Sequence, residues 1–317
     1  MRTAIIDIGS NTIKVLCAEK TGEQITPLGQ KSLEARLGGD HKDGQPWLEK
    51  EKRQAAIAAI QELLNFAKEH SPDSILLVGT SALREAVNQD EFSHELKSAT
   101  GHNLRILSEY EEAKFIGAGI AQDPEILDSQ NFMAFDLGGG SLEKIIYQDG
   151  SLKEAKSFQL GAVRLTRAIC ESFGRLPLSQ AECVMIHDKV LQTLPQAQES
   201  AVLIGSGGAF TVSRAILLSR LPGNKNLTTQ ELFSQNEYKQ ISVEDLQELT
   251  QELQSLHLED RAKIPHLPPG RADIIPVALQ IVLAIAEKYG ARAWQQSFYN
   301  LRFGLAASLL SGEFHKI

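Results

Sequence analysis

One sequence pattern occurs twice in this chain of 317 residues. In each copy, a short apolar run leads to an aspartate, and one further apolar residue leads into a turn of small residues. The copies are Ala4–Lys14 and Ala134–Glu143, and their aspartates are Asp7 and Asp136. Because glycine and asparagine tolerate the backbone angles of tight turns, each copy predicts a β-hairpin. The duplication predicts two similar halves, with both hairpins at one cleft that could hold a metal-bound phosphate chain.

Strand and helix patterns alternate around these hairpins. Apolar residues spaced three and four apart predict a helix over residues 49–70, and the apolar run 74–80 predicts a buried strand. A helix capped by Ser81 is expected next, and residues 111–121 predict another helix with an acidic start. Strands that alternate with helices indicate an α/β architecture.

Two further segments complete the predicted layout. The polar stretch 121–131 predicts a domain boundary, so we expect domains at residues 1–125 and 126–317. Residues 205–208 read Gly-Ser-Gly-Gly and follow an apolar run, which predicts a third glycine turn after a strand.

Composition excludes several classes of protein. The net charge of −8 argues against broad binding to nucleic acid or to membrane surfaces. It does not argue against a polyanionic ligand, because backbone amides and a few cations can hold phosphate. No apolar run approaches the roughly 20 residues of a membrane-spanning helix. The cysteines Cys17, Cys170 and Cys183 lack metal-type spacing, so we expect reduced thiols in a cytoplasmic protein.

Five tracts together form a recognisable set. They are Asp7–Thr12, Gly79–Ala86, Leu107–Ala113, Asp136–Glu143 and Arg271–Ile275. In this order they resemble the short, two-domain members of the exopolyphosphatase/guanosine pentaphosphate phosphohydrolase family. The Asp-Gly hairpins alone resemble the wider superfamily of acetate and sugar kinases, actin and heat-shock chaperone ATPases. The resemblance implies two ribonuclease-H-like α/β domains of the actin-like ATPase type that face a central cleft.

The resemblance also implies a reaction and its catalytic groups. The expected activity removes the terminal phosphoryl group of inorganic polyphosphate, or the 5′-γ-phosphate of guanosine pentaphosphate, with Mg²⁺ or another divalent cation. Glu112 would act as the base that activates water. Asp7, Asp136 and Glu143 would hold the metal, and Glu143 would also help to position water. The expected ligands are polyphosphate or guanosine penta- and tetraphosphate, and a homodimer is plausible.

A larger set of residues is expected to contact phosphate. Glycine-turn amides can bind phosphate oxygens, and an arginine can bind two oxygens at once. The expected contacts are Gly9, Ser10, Asn11, Lys14, Arg36, Arg84, Gly138, Gly139, Gly140, Ser141, Gly207 and Gly208. Two structural alternatives stay open here. Arg84 could be a surface arginine that pairs with a glutamate, and Glu112 could be a solvent-exposed charge at a helix N-terminus.

The chain departs from the family pattern at three places. Glu109 stands where the family usually has glycine, Leu142 stands where it has a hydroxyl residue, and residues 300–304 lack the customary Gly and Glu. An added carboxylate repels polyanions, so these departures motivate a second hypothesis. In it the chain is a sensor that binds polyphosphate or a guanosine alarmone with weak or no turnover. A third hypothesis is a kinase of the wider superfamily.

Overall fold

A computed structural model describes residues 1–22, 24–126, 131–196, 202–235 and 237–312. The strands are β1 (Arg2–Ile8), β2 (Thr12–Thr21), β3 (Gln24–Glu34), β4 (Asp40–Lys42), β5 (Gln45–Trp47), β6 (Ser74–Gly79), β7 (Leu104–Ile106), β8 (Phe132–Leu137), β9 (Leu142–Gln148), β10 (Ser151–Phe158), β11 (Val202–Gly207), β12 (Gln240–Ser242) and β13 (Ala293–Gln296). The helices are α1 (Lys50–Glu69), α2 (Ser81–Glu85), α3 (Gln89–Thr100), α4 (Glu109–Ile120), α5 (Ala162–Ile169), α6 (Gln180–Thr193), α7 (Gly208–Ser219), α8 (Thr229–Phe233), α9 (Val243–Ser255), α10 (Leu258–Arg261), α11 (Ile275–Lys288) and α12 (Leu301–Leu310). A short 3₁₀ turn covers Pro269–Arg271.

The first large sheet has five strands in the order β3-β2-β1-β6-β7. Strands β1, β2 and β3 pair antiparallel, whereas β6 pairs parallel with both β1 and β7. The antiparallel register places Asp7 opposite Lys14. The sheet is built from runs of buried apolar residues in β1 and β2, and the amphipathic helix α1 packs against it.

The second large sheet has six strands in the order β10-β9-β8-β11-β13-β12. Strands β8, β11 and β13 pair parallel, and β12 adds an antiparallel edge. The first five strands of this order correspond to those of the first sheet. In both sheets the strand that bears the aspartate, β1 or β8, has on one side the two strands that come next in the chain. On its other side it has two strands from further along the chain. The duplication that the sequence predicts is therefore confirmed in the topology.

The chain divides into two compact units. The first unit contains Met1–Asn131, Glu143–Ser157 and Tyr299–Ile317, and the second contains Phe132–Leu142 and Phe158–Phe298. Each unit has its own apolar core. Part of the expected boundary, residues 127–130, lies outside the described residues, so the division at residue 125 stays a prediction.

Two local expectations need correction. The N-cap of α2 is Thr80, and Ser81 is its first helical residue, where the Ser81 hydroxyl donates a hydrogen bond to Glu85 at 2.8 Å. Gly205 and Ser206 lie in β11 and do not form a turn. The Phe210 ring occupies the space next to Gly205, so a side chain there would clash with it.

No helix within the described ranges is both long and apolar enough to cross a membrane.

Candidate active site

The first Asp-Gly hairpin forms a turn that the following segment fixes in place. The Gly9 amide donates to the Thr12 carbonyl at 3.2 Å and closes the turn between β1 and β2. The amide of Arg36 donates to the Asn11 carbonyl at 3.0 Å, and the amide of Gly38 donates to the Ser10 carbonyl at 2.8 Å. The structure therefore brings together Gly9, Ser10, Asn11 and the Arg36 backbone.

Asp7 lies at the end of β1, partly buried. Burial raises the pKa of this carboxyl, while the nearby charges of Lys14 and Arg302 act to lower it. Arg302 is buried in α12, and its guanidinium donates to the Val15 carbonyl at 3.0 Å. Sequence analysis did not single out Arg302. The available signal was a lone cation in an otherwise apolar helix.

Arg84 and Glu112 form an ion pair. Nη1 of Arg84 lies 2.8 Å from Oε2 of Glu112, and it also donates to the Leu107 carbonyl at 2.9 Å. The side chain of Glu112 is only 8% exposed. Of the two structural alternatives, the pairing of Arg84 with a glutamate is observed. That glutamate is Glu112, the expected base, and it is buried rather than exposed to solvent.

The neighbouring Glu111 has a different role. It accepts hydrogen bonds from the amide and hydroxyl of Ser108, which is the N-cap of α4, and pairs with Arg105 at 2.7 Å. Burial acts to raise the pKa of Glu111, but the hydrogen bonds from Ser108 and Arg105 outweigh it and lower this pKa. Glu111 therefore caps the helix, whereas Glu112 pairs with the expected phosphate-binding arginine.

Glu143 is almost completely buried in β9. Its Oε1 accepts a hydrogen bond from the hydroxyl of Ser157 at 2.8 Å. The next residue, Lys144, is equally buried and pairs with Glu154 at 2.9 Å. Ser157 is a further residue that sequence analysis missed, because nothing local to β10 marks it.

The second Asp-Gly hairpin is held by the segment that starts α5. The Gly138 amide donates to the Ser141 carbonyl at 3.0 Å. The Arg164 side chain donates through Nε to the Gly140 carbonyl at 2.7 Å. Among the described residues, the amides of Gly139 and Gly140 donate no hydrogen bond within the chain. These two N–H groups are consequently available for a ligand oxygen.

Gly207 and Gly208 lie at the start of α7. Gly207 has φ +104°, and a side chain on it would press on the Leu137 carbonyl and lie 2.9 Å from Oδ1 of Asp136. A side chain on Gly208 would overlap the Arg271 guanidinium. Glycine at both positions thus lets Asp136 and Arg271 approach the N-terminus of a 12-residue helix. Of these groups, the helix N-terminus and Arg271 favour an anion.

Comparison with known proteins agrees with this architecture. The model of the Ppx/GppA phosphatase family matches residues 16–313. The chain belongs to this family. A guanosine-5'-triphosphate,3'-diphosphate pyrophosphatase of Aeromonas salmonicida is 24% identical over 307 residues, covering 97% of this chain and 59% of that protein. The chain therefore spans about 59% of that relative's length.

Two solved structures show the same fold. An exopolyphosphatase from Cytophaga hutchinsonii matches with a TM-score of 0.85 and 22% identity over 98% of both chains. An Aquifex aeolicus member of the Ppx/GppA protein family matches with a TM-score of 0.78 and 21% identity over 99% of both chains. The predicted fold class, two ribonuclease-H-like α/β units of the actin-like ATPase type, is confirmed.

The family assignment leaves the metal ligands as predictions. Asp7 and Glu143 belong to the first compact unit and Asp136 to the second. Within the described part of the chain, no group of three or more His, Cys, Asp or Glu side chains is arranged to hold a metal ion.

Proposed function

We propose that this chain is a phosphoanhydride hydrolase. It would remove the terminal phosphoryl group of inorganic polyphosphate, or the 5′-γ-phosphate of guanosine pentaphosphate. The observation that carries this proposal is Glu112, a buried carboxylate in the first turn of α4 that is paired with Arg84. A buried carboxylate next to a phosphate-binding cation is the arrangement expected for a general base in phosphoryl transfer.

Arg84 couples substrate binding to the release of this base. A guanidinium binds phosphate oxygens with two parallel hydrogen bonds, so a phosphate competes with Glu112 for Arg84. Once Arg84 turns to phosphate, Glu112 can accept a proton from water. The water oxygen then attacks the terminal phosphorus, the bond to the bridging oxygen breaks, and the shortened chain leaves with that oxygen.

Backbone amides and Arg271 would hold the phosphate groups. The amides of Gly139 and Gly140 have no partner among the described residues. Arg271 lies against Gly208 at the N-terminus of α7, where partial positive charge favours anions. A role in fixing a helix terminus and a contact with the ligand are both open for Arg271 and Asp273. The contact between Arg271 and Gly208 is compatible with either role, whereas the Asp273 carboxylate acts on buried Arg261.

The carboxylates fit Mg²⁺ in their chemistry. Mg²⁺ prefers oxygen ligands and is usually held by one or two carboxylates together with water and substrate phosphates. Asp7 fits because burial costs its charged form free energy that a cation would offset, and Asp136 and Glu143 supply further oxygens. Bound Mg²⁺ would neutralise charge that develops on the phosphoryl oxygens.

The test is phosphate release with Mg²⁺ from long-chain polyphosphate and from guanosine pentaphosphate in parallel. Glu112→Gln is the test variant. Glu111→Gln is its matched control, because it removes the adjacent carboxylate of the same helix. We expect Glu112→Gln to lose about 100-fold or more in rate, and Glu111→Gln to retain most of it.

Each outcome of this assay has a distinct meaning. Release from polyphosphate alone assigns the exopolyphosphatase reaction, and release from the nucleotide alone assigns alarmone hydrolysis. If folded protein binds either ligand and releases no phosphate, the chain is a sensor. ATP-dependent phosphorylation of a small acceptor would instead support a kinase. The homodimer and the cytoplasmic location stay predictions, and light scattering tests the first.

A further inference from the structure

The first compact unit contains a cavity that the proposed reaction does not use. Its volume is about 290 Å³, close to the roughly 300 Å³ lower bound of small-molecule sites. Its walls include Lys20, Ile25, Lys114, Phe115, Gln122 and Ser308. We refer to this cavity as the lysine pocket.

The described residues give the two lysines of the pocket no carboxylate partner. No acidic residue is among the described residues that form its walls. Among the described residues, the side chains of Lys20 and Lys114 form no ion pair and no hydrogen bond. By contrast, Lys52 pairs with Asp40 and Lys263 pairs with Asp260. Two cations without carboxylate partners favour an anionic ligand.

The remaining walls indicate what else the ligand carries. Ile25 and Phe115 are buried and offer apolar surface. Gln122 and Ser308 can form neutral hydrogen bonds. A few polar groups beside an apolar wall are typical of sites for small organic molecules, rather than for a bare ion. The pocket therefore suits a small molecule with a phosphate group and an apolar or planar part.

The lysine pocket is formed by the same helices that hold two residues of the candidate active site. Helix α4 carries Glu112 in its first turn and Lys114 two residues later. Helix α12 carries Arg302 near its start and Ser308 near its end. The helices pack closely, because a side chain on Gly304 would overlap the α4 backbone. A ligand in the pocket would thus contact both helices.

We propose that the lysine pocket is a second anion site, which binds a small phosphate monoester with an apolar or planar group. Lys20 and Lys114 bind the phosphate, and Phe115 and Ile25 contact the apolar part. This site is separate from the glycine turns and from Arg84, and its existence does not depend on the proposed hydrolase activity.

Lysine footprinting tests the site directly. The full chain, without Mg²⁺, is acetylated with an amine-reactive reagent in the presence or absence of phenyl phosphate, and each lysine is quantified by mass spectrometry. We expect saturating phenyl phosphate to slow acetylation of Lys20 and Lys114 about threefold or more, because bound phosphate shields their amines. Exposed Lys97, in the same unit, is the internal control. Unchanged acetylation at both pocket lysines, or equal slowing at Lys97, overturns the proposal.

Calorimetry with lysine-to-glutamine variants adds an independent measurement. We expect Lys20→Gln/Lys114→Gln to weaken phenyl phosphate binding by about tenfold or more, since two charge-assisted hydrogen bonds are lost. Lys97→Gln should bind as the wild type does, and inorganic phosphate should bind more weakly than phenyl phosphate. Equal binding by the folded double variant overturns the proposal. Neither measurement uses phosphate release. The absence of hydrolase activity can therefore be told apart from the absence of ligand binding in the lysine pocket.

Discussion

Nη1 of Arg84 lies 2.8 Å from Oε2 of Glu112, and both side chains are largely buried, at 17% and 8% exposure. The same nitrogen donates to the Leu107 carbonyl, so the arginine is fixed at two points. This geometry joins the proposed phosphate-binding cation to the proposed base. Each group compensates the charge of the other, and under the proposed function a phosphate would compete with Glu112 for the arginine.

A double-mutant cycle measures this coupling. We expect Arg84→Met and Glu112→Gln each to lower the free energy of unfolding by about 2 kcal/mol, because each leaves a poorly hydrated charge without its partner. The double variant should lose less than the sum, with a coupling free energy of about 1 kcal/mol. Urea denaturation of the four proteins gives all of these values. Strict additivity would mean that the pair contributes nothing to stability.

The two adjacent glutamates should differ in their effects on stability. Glu111→Gln removes half of the capping box with Ser108 and the ion pair with Arg105. We expect it to lower the free energy of unfolding by about 1 kcal/mol at neutral pH.

The pH dependence of this loss follows from the lowered pKa of Glu111. Because the pKa of Glu111 is lower in the folded state than in the unfolded state, its contribution to stability is fully present above the unfolded-state pKa of about 4.3. This contribution is lost as the pH falls through the folded-state pKa of Glu111. Wild type and Glu111→Gln should therefore converge in acid. Thermal unfolding between neutral and acidic pH checks this, and a constant difference across the range would contradict it.

Local sequence signals predicted the parts of the site that are local in sequence. The hairpin at Asp7 and the helix that carries Glu112 follow from turn residues, apolar spacing and acidic residues at a helix start. The lone cation of α12 could have marked Arg302 as unusual, but its proximity to Asp7 could not be predicted, because it depends on a contact between the two ends of the chain. No short-range pattern encodes such a contact, and an arginine alone does not reveal its neighbours.

The glycines also differ in whether a local sequence pattern or a long-range contact requires them. Gly138, Gly139 and Gly140 were found because they lie in a recognisable turn. Gly161 was missed, although its lack of a side chain is what lets the start of α5 contact the backbone of Gly139 and Gly140. Close backbone packing requires glycine as strictly as a turn does, but its partner lies elsewhere in the sequence.

Substitution of Gly161 should therefore damage the glycine turn. A methyl group there would overlap the backbone of Gly139 and Gly140, whereas one on Gly138 meets only the Ser141 carbonyl at 3.3 Å. We expect Gly161→Ala to lower the free energy of unfolding by about 2 kcal/mol or more, and Gly138→Ala by clearly less. Thermal unfolding of the two variants compares them directly. A smaller loss for Gly161→Ala would show that the α5 segment moves away at little cost.

Thiol reactivity tests the packing of both cores. Burial raises the pKa of Cys17 to about 11, and burial together with the charge of Glu182 raises the pKa of Cys170 to about 12. Because the thiolate is the reactive form, the native protein at pH 8 should resist iodoacetamide at both residues. Protein in concentrated urea should be alkylated at Cys17, Cys170 and Cys183. Mass spectrometry of the modified peptides measures this, and rapid native alkylation of Cys17 would contradict its burial.

Ser157 should influence the reaction through Glu143. Its hydroxyl donates to Oε1 of Glu143 at 2.8 Å and so helps to orient this buried carboxylate. If Glu143 helps to hold metal or water, Ser157→Ala should lower phosphate release by about tenfold and raise the Mg²⁺ concentration needed for half-maximal rate. Ser157→Thr keeps the hydroxyl and should restore most of the rate.

Ser151→Ala is the matched control for this last prediction, because Ser151 lies on the same strand and its hydroxyl donates to the Gln148 carbonyl at the surface. It should leave the rate and the Mg²⁺ requirement unchanged. A purely structural role for Ser157 would lower thermal stability without moving the Mg²⁺ dependence. Titration of the rate with Mg²⁺ therefore separates the two roles, and an unshifted curve for Ser157→Ala would remove Glu143 from the proposed metal site.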